Sequence, residues 1–418
     1  MDSSLPGLVS VLDTDLYKLT MQQAVLRYFP DAVVSYKFTN RTPSTRFSRK
    51  CYDAFTRAVS KFPEVTLTQD ERTWLASTCP YLAPDYLEYL AGFKYDLSQL
   101  RVDFIPSSDD PEWGALDIEA VGPWRDAIMW EVPLLAVLSE AYFATIDTDW
   151  NYDGTLERAY EKGKTLITGG VAFSEFGTRR RRSLKAHDLV VEGLVKAQKD
   201  FGTGDGAGML SGTSNVYLAK KHSIKPVGTI AHEWFMGVAA SKGYANSHNV
   251  ALQYWEELYS RKLLVALTDT FSTQAFFKEF SSNKTRVEHW SALRQDSGDP
   301  FAFAPVAQEM YKSLGIDHRT KRIIYSDGLT IDLALRLKKQ CDELGFLSAF
   351  GIGTNFSNDF DKASNPTEKS APLNIVIKIA SIDGKPCIKI SDVLTKNTGD
   401  PETVRHAKEV FGLPVNAQ

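Results

Sequence analysis

Cysteine and histidine are scarce in this chain of 418 residues, and neither is spaced like a metal site. The four cysteines, Cys51, Cys79, Cys341 and Cys387, lie far apart and form no C-x-x-C pair. They predict reduced, mostly buried thiols in an intracellular protein. The seven histidines show neither H-x-x-x-H nor H-E-x-x-H spacing, so we expect no metal ion held directly by protein ligands.

Long apolar runs and an excess of positive charge are missing as well. No segment approaches the roughly 18 uncharged apolar residues of a membrane span, and Met1–Asp15 lacks the basic start and apolar run of a signal peptide. The net charge of −4 argues against nucleic-acid binding through bulk charge. With 43% apolar and 24% charged residues the composition is that of a globular protein. We expect a cytoplasmic protein with neither membrane nor nucleic acid as a partner.

The first part of the chain, residues 1–149, mixes strands with grouped helices. Residues 32–39 alternate apolar and polar side chains, which is typical of a half-buried strand. Further strands are predicted at 101–105, 115–121 and 124–130, and helices at 16–29, 48–61, 69–78, 84–91 and 132–144. This pattern predicts an α+β N-terminal domain.

Residues 150–418 instead alternate regularly between short strands and helices, which indicates a parallel sheet. The strands are predicted at 171–175, 208–212, 227–231, 264–268, 291–294, 322–326 and 347–351. About seven such units fit an irregular (β/α) barrel better than an open sheet. The predicted fold class is therefore α/β, with an α+β N-terminal domain followed by an irregular barrel domain and a C-terminal extension.

Polar and charged residues follow nearly every predicted barrel strand. A barrel carries its catalytic residues at the C-terminal ends of its strands. Turn residues alone would explain the glycines and serines, but they do not explain so many charged groups at one rim. The candidate site residues of this rim are Arg179, His232, Asp269, Arg294, Asp296, Ser326, Asp327, Gly353 and Thr354.

His232 follows Gly228-Thr229 at the point where a helix is predicted to begin. A helix N-terminus offers free N–H groups to an anion, and its dipole keeps a histidine neutral with a lone pair free to react. Gly-Thr before a helix is also common turn chemistry. The other charged strand ends favour the functional interpretation, with His232 as the reactive group.

The candidate residues fall into chemical classes. The turns Ser326–Gly328 and Gly351–Thr354 let backbone amides approach a phosphate. Arg179 and Arg294 can fork onto phosphate or carboxylate oxygens. Asp269 and Asp296 suit ribose hydroxyls or a hydrated Mg²⁺ shared with a diphosphate. These residue types therefore predict that the site binds a phosphorylated sugar and a second anion.

Two features remain open from the residues alone. Tyr17 and Thr20 share one helix face, either packing on the domain or facing a site. In the run Arg179–Arg182 only the first one or two arginines are expected to point into the site, and such a run also resembles a nuclear-import patch. Entry into the nucleus is therefore left open beside the cytoplasm.

Taken together, these motifs resemble the nicotinate phosphoribosyltransferase family, in its ATP-coupled form from fungi and bacteria. The resemblance covers essentially the whole chain, and the order and spacing of its short motifs make it specific. The segments are Asp15–Met21, Trp130–Glu140, Phe176–Arg179, Ser211–Asn215, Gly228–Glu233, Arg294–Pro300, Ser326–Leu329, Gly351–Phe356, Lys378–Ile390 and Gly399–Arg405.

The resemblance implies a quinolinate-phosphoribosyltransferase-like N-terminal domain before the barrel. It also implies a ligase-type reaction of NAD salvage, in which nicotinate, phosphoribosyl diphosphate, ATP and water give nicotinate mononucleotide, diphosphate, ADP and phosphate. ATP and substrate-bound Mg²⁺ are the implied cofactors. His232 corresponds to the histidine that ATP phosphorylates.

The resemblance also implies roles for individual residues. Tyr17 and Phe176 match aromatics against the pyridine ring, and Thr229 and Arg294 match nicotinate-binding positions. Thr354 matches a phosphoribosyl diphosphate contact, and Arg179 an arginine near the phosphoribosyl group. Roles for Arg180–Arg182 stay unassigned.

Ser214 is the residue that favours nicotinate over nicotinamide. The nicotinamide-specific relatives carry an aspartate there, which can accept from a carboxamide but repels a carboxylate. Nicotinamide or quinolinate phosphoribosyltransferase on the same scaffold remains an alternative. An inactive metabolite-binding protein is the other, although the intact rim of His232, Arg294 and Asp296 argues against it.

Overall fold

The computed structural model describes residues 7–393 and 397–415, so the first six residues of the acidic segment Met1–Asp15 lie outside it. Several helices start at side-chain caps: Ser48 accepts from the N–H of Cys51, and Thr68 forms a capping box with Glu71. The helices are α1 Leu16–Tyr28, α2 Arg49–Val59, α3 Gln69–Thr78, α4 Pro84–Gly92, α5 Trp124–Ala127, α6 Glu131–Thr145, α7 Thr155–Thr168, α8 Leu184–Phe201, α9 Val216–Lys221, α10 His232–Lys242, α11 Ser247–Tyr259, α12 Thr273–Phe280, α13 Lys284–His289, α14 Pro300–Ser313, α15 Ile331–Leu344, α16 Thr354–Ser357 and α17 Pro401–Phe411.

Within the described residues, the strands form two main sheets and two short hairpin-like pairs. They are β1 Val33–Asn40, β2 Phe47–Ser48, β3 Leu100–Pro106, β4 Trp113–Pro123, β5 Ala172–Glu175, β6 Met209–Thr213, β7 Val265–Leu267, β8 Ala292–Gln295, β9 Arg322–Tyr325, β10 Leu347–Ile352, β11 Phe360–Asp361, β12 Lys369–Ser370, β13 Ile375–Ile382, β14 Lys385–Pro386, β15 Lys389–Ile390 and β16 Asn397–Thr398.

The second sheet is parallel and carries the order β6-β5-β10-β9-β8-β7. Helices connect its strands, and the carboxyl ends of all six meet at one rim. The predicted fold class, a mixed α/β chain with a parallel-sheet domain after the N-terminal domain, is confirmed.

The predicted strand 227–231 is wrong. Pro226 forms only an isolated parallel bridge with Thr213, and residues 227–231 adopt no regular structure. Pro226 has no N–H for a ladder, and Gly228 has a φ of +136°. The barrel is irregular here because its wall is completed by a loop.

A late strand joins the N-terminal sheet. β13 pairs antiparallel with β1 from Asn40↔Ile375 to Val34↔Ile382, so the sheet order runs β14-β13-β1-β4-β2, with β3 on β4. This pairing brings residues 375–390 back over the barrel rim. The division at residue 149 remains a prediction, since the late strand belongs by sequence to the second part and by pairing to the first.

The predicted strand 124–130 is also wrong, because residues 124–127 form α5 and lead into α6. The stretch Trp124–Thr145 is long and apolar enough to cross a membrane, but 89% of its most apolar window is buried inside the protein. It is a core segment, in contact with both α2 and β13. Apolar residues on all sides of a helix are typical of such burial.

Candidate active site

A cavity of about 980 Å³ lies between the barrel rim and the returning strand β13. Eleven of the thirteen predicted site residues line it: Tyr17, Phe176, Arg179, Thr229, His232, Arg294, Asp296, Ser326, Asp327, Gly353 and Thr354. They come from α1, from the ends of β5, β8, β9 and β10, and from the loop that leads into α10. A pocket of this size, with aromatic walls and a few charged groups, is typical of a small-molecule site.

His232 begins α10 and contacts polar groups at both ring nitrogens. Its Nδ1 lies 3.0 Å from the hydroxyl of Thr270, and its Nε2 lies 2.9 Å from Oδ2 of Asp296. Burial and the ammonium of Lys389, 2.9 Å from Nε2, lower the pKa of His232 against the opposing effect of the carboxylates. The ring is therefore predominantly neutral near pH 7 and keeps a nucleophilic lone pair.

Arg294, in β8, and Asp296, directly after β8, form a salt bridge. The guanidinium donates to Asp296 at 3.2 Å, to the hydroxyl of Ser326 at 2.8 Å and to the carbonyl of Ile230 at 3.1 Å. Burial alone would raise the pKa of Asp296, but Arg294 and His232 hold it well below its usual range. Asp296 is consequently ionised near neutral pH, between the arginine and the histidine.

The two aromatic residues are positioned by close backbone packing. The N–H of Phe176 donates to the carbonyl of Ile352 at 2.8 Å, and a side chain at Gly351 would come within 3.3 Å of the Phe176 ring. Tyr17 lies against Gly228, where a Cβ would meet the Tyr17 nitrogen at 3.2 Å. Gly351 therefore lets the Phe176 ring pack closely on β10, and Gly228 lets its loop approach the backbone at the start of α1.

Comparison with known proteins decides the family. The chain matches the nicotinate phosphoribosyltransferase (NAPRTase) family over residues 171–415 and the N-terminal domain of that family over residues 12–139. It is 42% identical to nicotinate phosphoribosyltransferase from Saccharomyces cerevisiae, over 98% of this chain and 96% of the relative. This chain belongs to the nicotinate phosphoribosyltransferase family.

Solved structures agree over the whole length. A crystal structure from Saccharomyces cerevisiae has a TM-score of 0.94 at 41% identity and covers 98% of this chain and 99% of that one. The nicotinate phosphoribosyltransferase from Porphyromonas gingivalis has a TM-score of 0.87 at 34% identity, covering 97% of this chain and 100% of that one. The fold described above is therefore the fold of this family.

The arginine run of this family member divides into two pairs. Arg179 and Arg180 line the cavity, and Arg179 also donates to Glu131 at 3.3 Å. Arg181 is fully buried against Asp13 at 2.6 and 2.9 Å, and Arg182 is fully buried against Ser370. The four residues therefore do not form an exposed basic patch.

Ser214 does not lie where the sequence-based role requires. Its side chain is fully buried and donates to Oδ1 of Asp15 at 2.7 Å, while its backbone carbonyl accepts from Leu16 at 2.8 Å. The hydroxyl thus ties the end of β6 to the start of α1 and does not reach the cavity wall. This geometry contradicts the predicted contact between Ser214 and the substrate carboxylate.

Asp269 also lies behind the cavity wall. It is fully buried, accepts from Ser297 at 2.5 Å and from Lys389 at 3.3 Å, and lies 3.8 Å from Nε2 of His232. It supports the histidine from the barrel side instead of facing a ligand.

Five cations that line the cavity were missed by the sequence reasoning: Arg41, Arg322, Lys369, Lys378 and Lys389. Lys378 and Lys389 come from β13 and β15, inside the late segment that resembles the family. Burial, then Arg41 and Lys389, lower the pKa of Lys378 to about 8. Isoleucine at every second position of 375–379, with Val376 and Lys378 between, was the available signal for a strand, but only the pairing of β13 with β1 brings it to the site.

Proposed function

We propose that this protein catalyses the reaction of nicotinate with phosphoribosyl diphosphate, coupled to ATP hydrolysis through phosphorylation of His232. The observation that carries the proposal is the position of His232, which shares one cavity with Arg294, Phe176 and Tyr17. Family membership supplies the substrate class, and the geometry supplies a neutral nucleophile beside anion-binding groups.

Nicotinate would lie against Tyr17 and Phe176, with its carboxylate near Arg294. Three of the five N–H groups of Arg294 are engaged by protein acceptors, and the other two can donate to a carboxylate. The ring nitrogen of nicotinate attacks C1 of the ribose as the bond to diphosphate breaks. Stabilising the leaving diphosphate is then the main task of the protein.

Phosphoribosyl diphosphate would use the glycine-rich turns and the cavity cations. Ser326, Asp327, Gly353 and Thr354 lie on the wall together with Arg179 and Lys378. Within residues 7–393 and 397–415, no cluster of three or more histidine, cysteine, aspartate or glutamate side chains forms a metal site. A buried oxygen of Asp269 that lacks a hydrogen-bond partner fits a nearby hydrated cation.

Asp296 and Asp327, which line the cavity, would hold Mg²⁺ mainly through water, with the buried carboxylate of Asp269 behind them. When bound, the metal would neutralise charge on the diphosphate. Burial, then Asp296 and Asp269, raise the pKa of Asp327 against the opposing effect of Lys389 and Arg41, so a further cation at this position would be favourable.

ATP would act at His232. A ring nitrogen attacks the γ-phosphorus, the bond to ADP breaks, and water later releases phosphate and restores the neutral ring. Lys389 and the N-terminus of α10, whose N-cap residue Ala231 has no side-chain cap, would stabilise the phosphoryl charge. Phosphorylation then favours the conformation that binds phosphoribosyl diphosphate tightly.

The free, buried state of all four cysteines supports a cytoplasmic location for this activity.

A rate assay with nicotinate, nicotinamide and quinolinate, each with and without ATP, tests the function. We expect nicotinate mononucleotide to form fastest, and ATP to stimulate its formation. Faster turnover of nicotinamide or quinolinate would identify that compound, and not nicotinate, as the substrate. No turnover of any of the three would refute the activity.

A further inference from the structure

Lys18 carries a fully buried ammonium group between two carboxylates. It is 0% exposed, and its Nζ lies 2.6 Å from Oε2 of Glu131 and 2.5 Å from Oε2 of Glu233. Burial would lower the pKa of Lys18, but the two glutamates raise it, so the group stays charged. A buried charge is tolerated only when it is paired and hydrogen-bonded in this way.

Each glutamate is connected to a different residue of the candidate site, one through a hydrogen bond and the other through the backbone. Glu131, at the start of α6, accepts from the guanidinium of Arg179 at 3.3 Å through its other oxygen. Glu233 directly follows His232 and lies in the first turn of α10. Lys18 is thus the shared partner of the arginine side and the histidine side of the cavity.

The Glu233 end of this connection is held rigidly. Its Oε1 accepts from the indole N–H of Trp124 at 3.0 Å and from the hydroxyl of Tyr36. Trp124 is fully buried and Tyr36 is 1% exposed, so neither partner is free to move. A shift of the first turn of α10 must therefore either break these bonds or move Lys18 with it.

The charges of the chain Arg179–Glu131–Lys18–Glu233 balance, with two cations and two anions. Lys18 itself is not part of the cavity wall, whereas Arg179, Glu131 and Glu233 are. Lys18 therefore cannot serve as a ligand contact, and its effect on a ligand must pass through its two partners.

We propose that Lys18 is a positioning residue that couples His232 to Arg179. Phosphorylation of His232 adds negative charge at the start of α10, and the Glu233–Lys18–Glu131 connection passes the resulting shift to the arginine that faces phosphoribosyl diphosphate. This proposal rests on the proposed function, because it assigns a route to the coupling between ATP and the phosphoribosyl site.

The test compares the Michaelis constant for phosphoribosyl diphosphate with and without ATP. The first variant is Lys18→Met/Glu233→Gln, which removes one cation and one anion together and keeps an acceptor for Tyr36 and Trp124. The second is Glu131→Gln, which cuts the connection on the arginine side while Lys18 stays paired with Glu233. Lys37→Met, at an exposed lysine of β1, is the control.

We expect ATP to lower the Michaelis constant in the wild type and in Lys37→Met. In both test variants this ATP effect should shrink at least fivefold, while radiolabelled ATP still labels His232. If folded Lys18→Met/Glu233→Gln keeps the ATP effect within twofold of wild type, the proposal is overturned.

Glu131→Gln decides in the same way if the double variant does not fold, as judged by circular dichroism. The two proposals fail differently. A wild type that makes no nicotinate mononucleotide refutes the proposed function, whereas a wild type with normal ATP coupling and unaffected variants refutes only the role of Lys18.

Discussion

The Nζ atom of Lys389 lies 2.9 Å from Nε2 of His232, although 157 residues separate the two in the chain. The same ammonium lies 3.3 Å from Oδ2 of Asp269. A cation this close disfavours a second positive charge, so Lys389 joins burial in lowering the pKa of His232. Asp269 and Asp296 act in the opposite direction.

Lys389→Met should raise the pKa of His232, because the two carboxylates remain while the opposing cation is lost. Only the neutral ring can attack ATP, so the acid side of the labelling profile should move to higher pH. The measurement is the rate of His232 labelling between about pH 5.5 and 8.5, around the ordinary histidine pKa of about 6.5. Lys385→Met, at an exposed lysine of the neighbouring strand, is the control. An unchanged acid limb in Lys389→Met would contradict the role given to the ammonium.

His232→Ala should abolish ATP stimulation and leave slow ATP-independent turnover. The substitution removes the phosphoryl acceptor but neither the aromatic walls nor Arg294. Incubation with γ-labelled ATP should give an acid-labile, base-stable label on the wild type. Equal labelling of His232→Ala would show that another residue accepts the phosphoryl group.

Arg294→Lys should lose on the order of 2 kcal/mol or more of transition-state stabilisation, measured as kcat/KM for nicotinate. An ammonium cannot reproduce the simultaneous bonds to Ser326, Asp296 and Ile230 and still donate to a carboxylate. Arg319→Lys, at a side chain 73% exposed, provides the matched control. Activity of Arg294→Lys within about threefold of wild type, near 0.65 kcal/mol, would place Arg294 outside the substrate contact.

Ser214→Ala should reduce stability without changing the preference for nicotinate over nicotinamide. It removes the hydroxyl that donates to the buried carboxylate of Asp15 at 2.7 Å, a loss of about 1–3 kcal/mol. Ser214→Asp should destabilise further, because it sets a second carboxylate beside the first. Thermal unfolding and kcat/KM for both substrates measure the two effects. A preference that moves toward nicotinamide in Ser214→Asp would instead restore the role inferred from the sequence.

Local sequence patterns were sufficient for most elements of the site. Arg294, Asp296 and Ser326 follow short apolar runs, and the carboxyl ends of parallel strands necessarily meet at one rim. His232 follows Gly228-Thr229 and opens a helix, as its neighbours predicted. These inferences succeed because strand ends and helix starts depend on residues within a few positions of one another.

Side-chain direction was harder to predict than position. Ser214 was placed at the correct strand end, yet its hydroxyl turns away from the cavity to Asp15, a residue 199 positions earlier. Trp124 was predicted in a strand but begins a short helix. Its indole N–H donates to Glu233. In both cases a distant partner decides the outcome, and no local pattern reports which partner is present.

By itself, then, the sequence determined most of the helices and parallel strands, the charged rim of the barrel and the family to which the motifs belong. The tertiary structure alone decided that β13 pairs with β1 and so brings Lys378 and Lys389 into the cavity. It alone placed Lys18 between Glu131 and Glu233. The physical reason is that periodicity and capping act over a few residues, whereas sheet pairing and the burial of a charge depend on groups that only folding brings together.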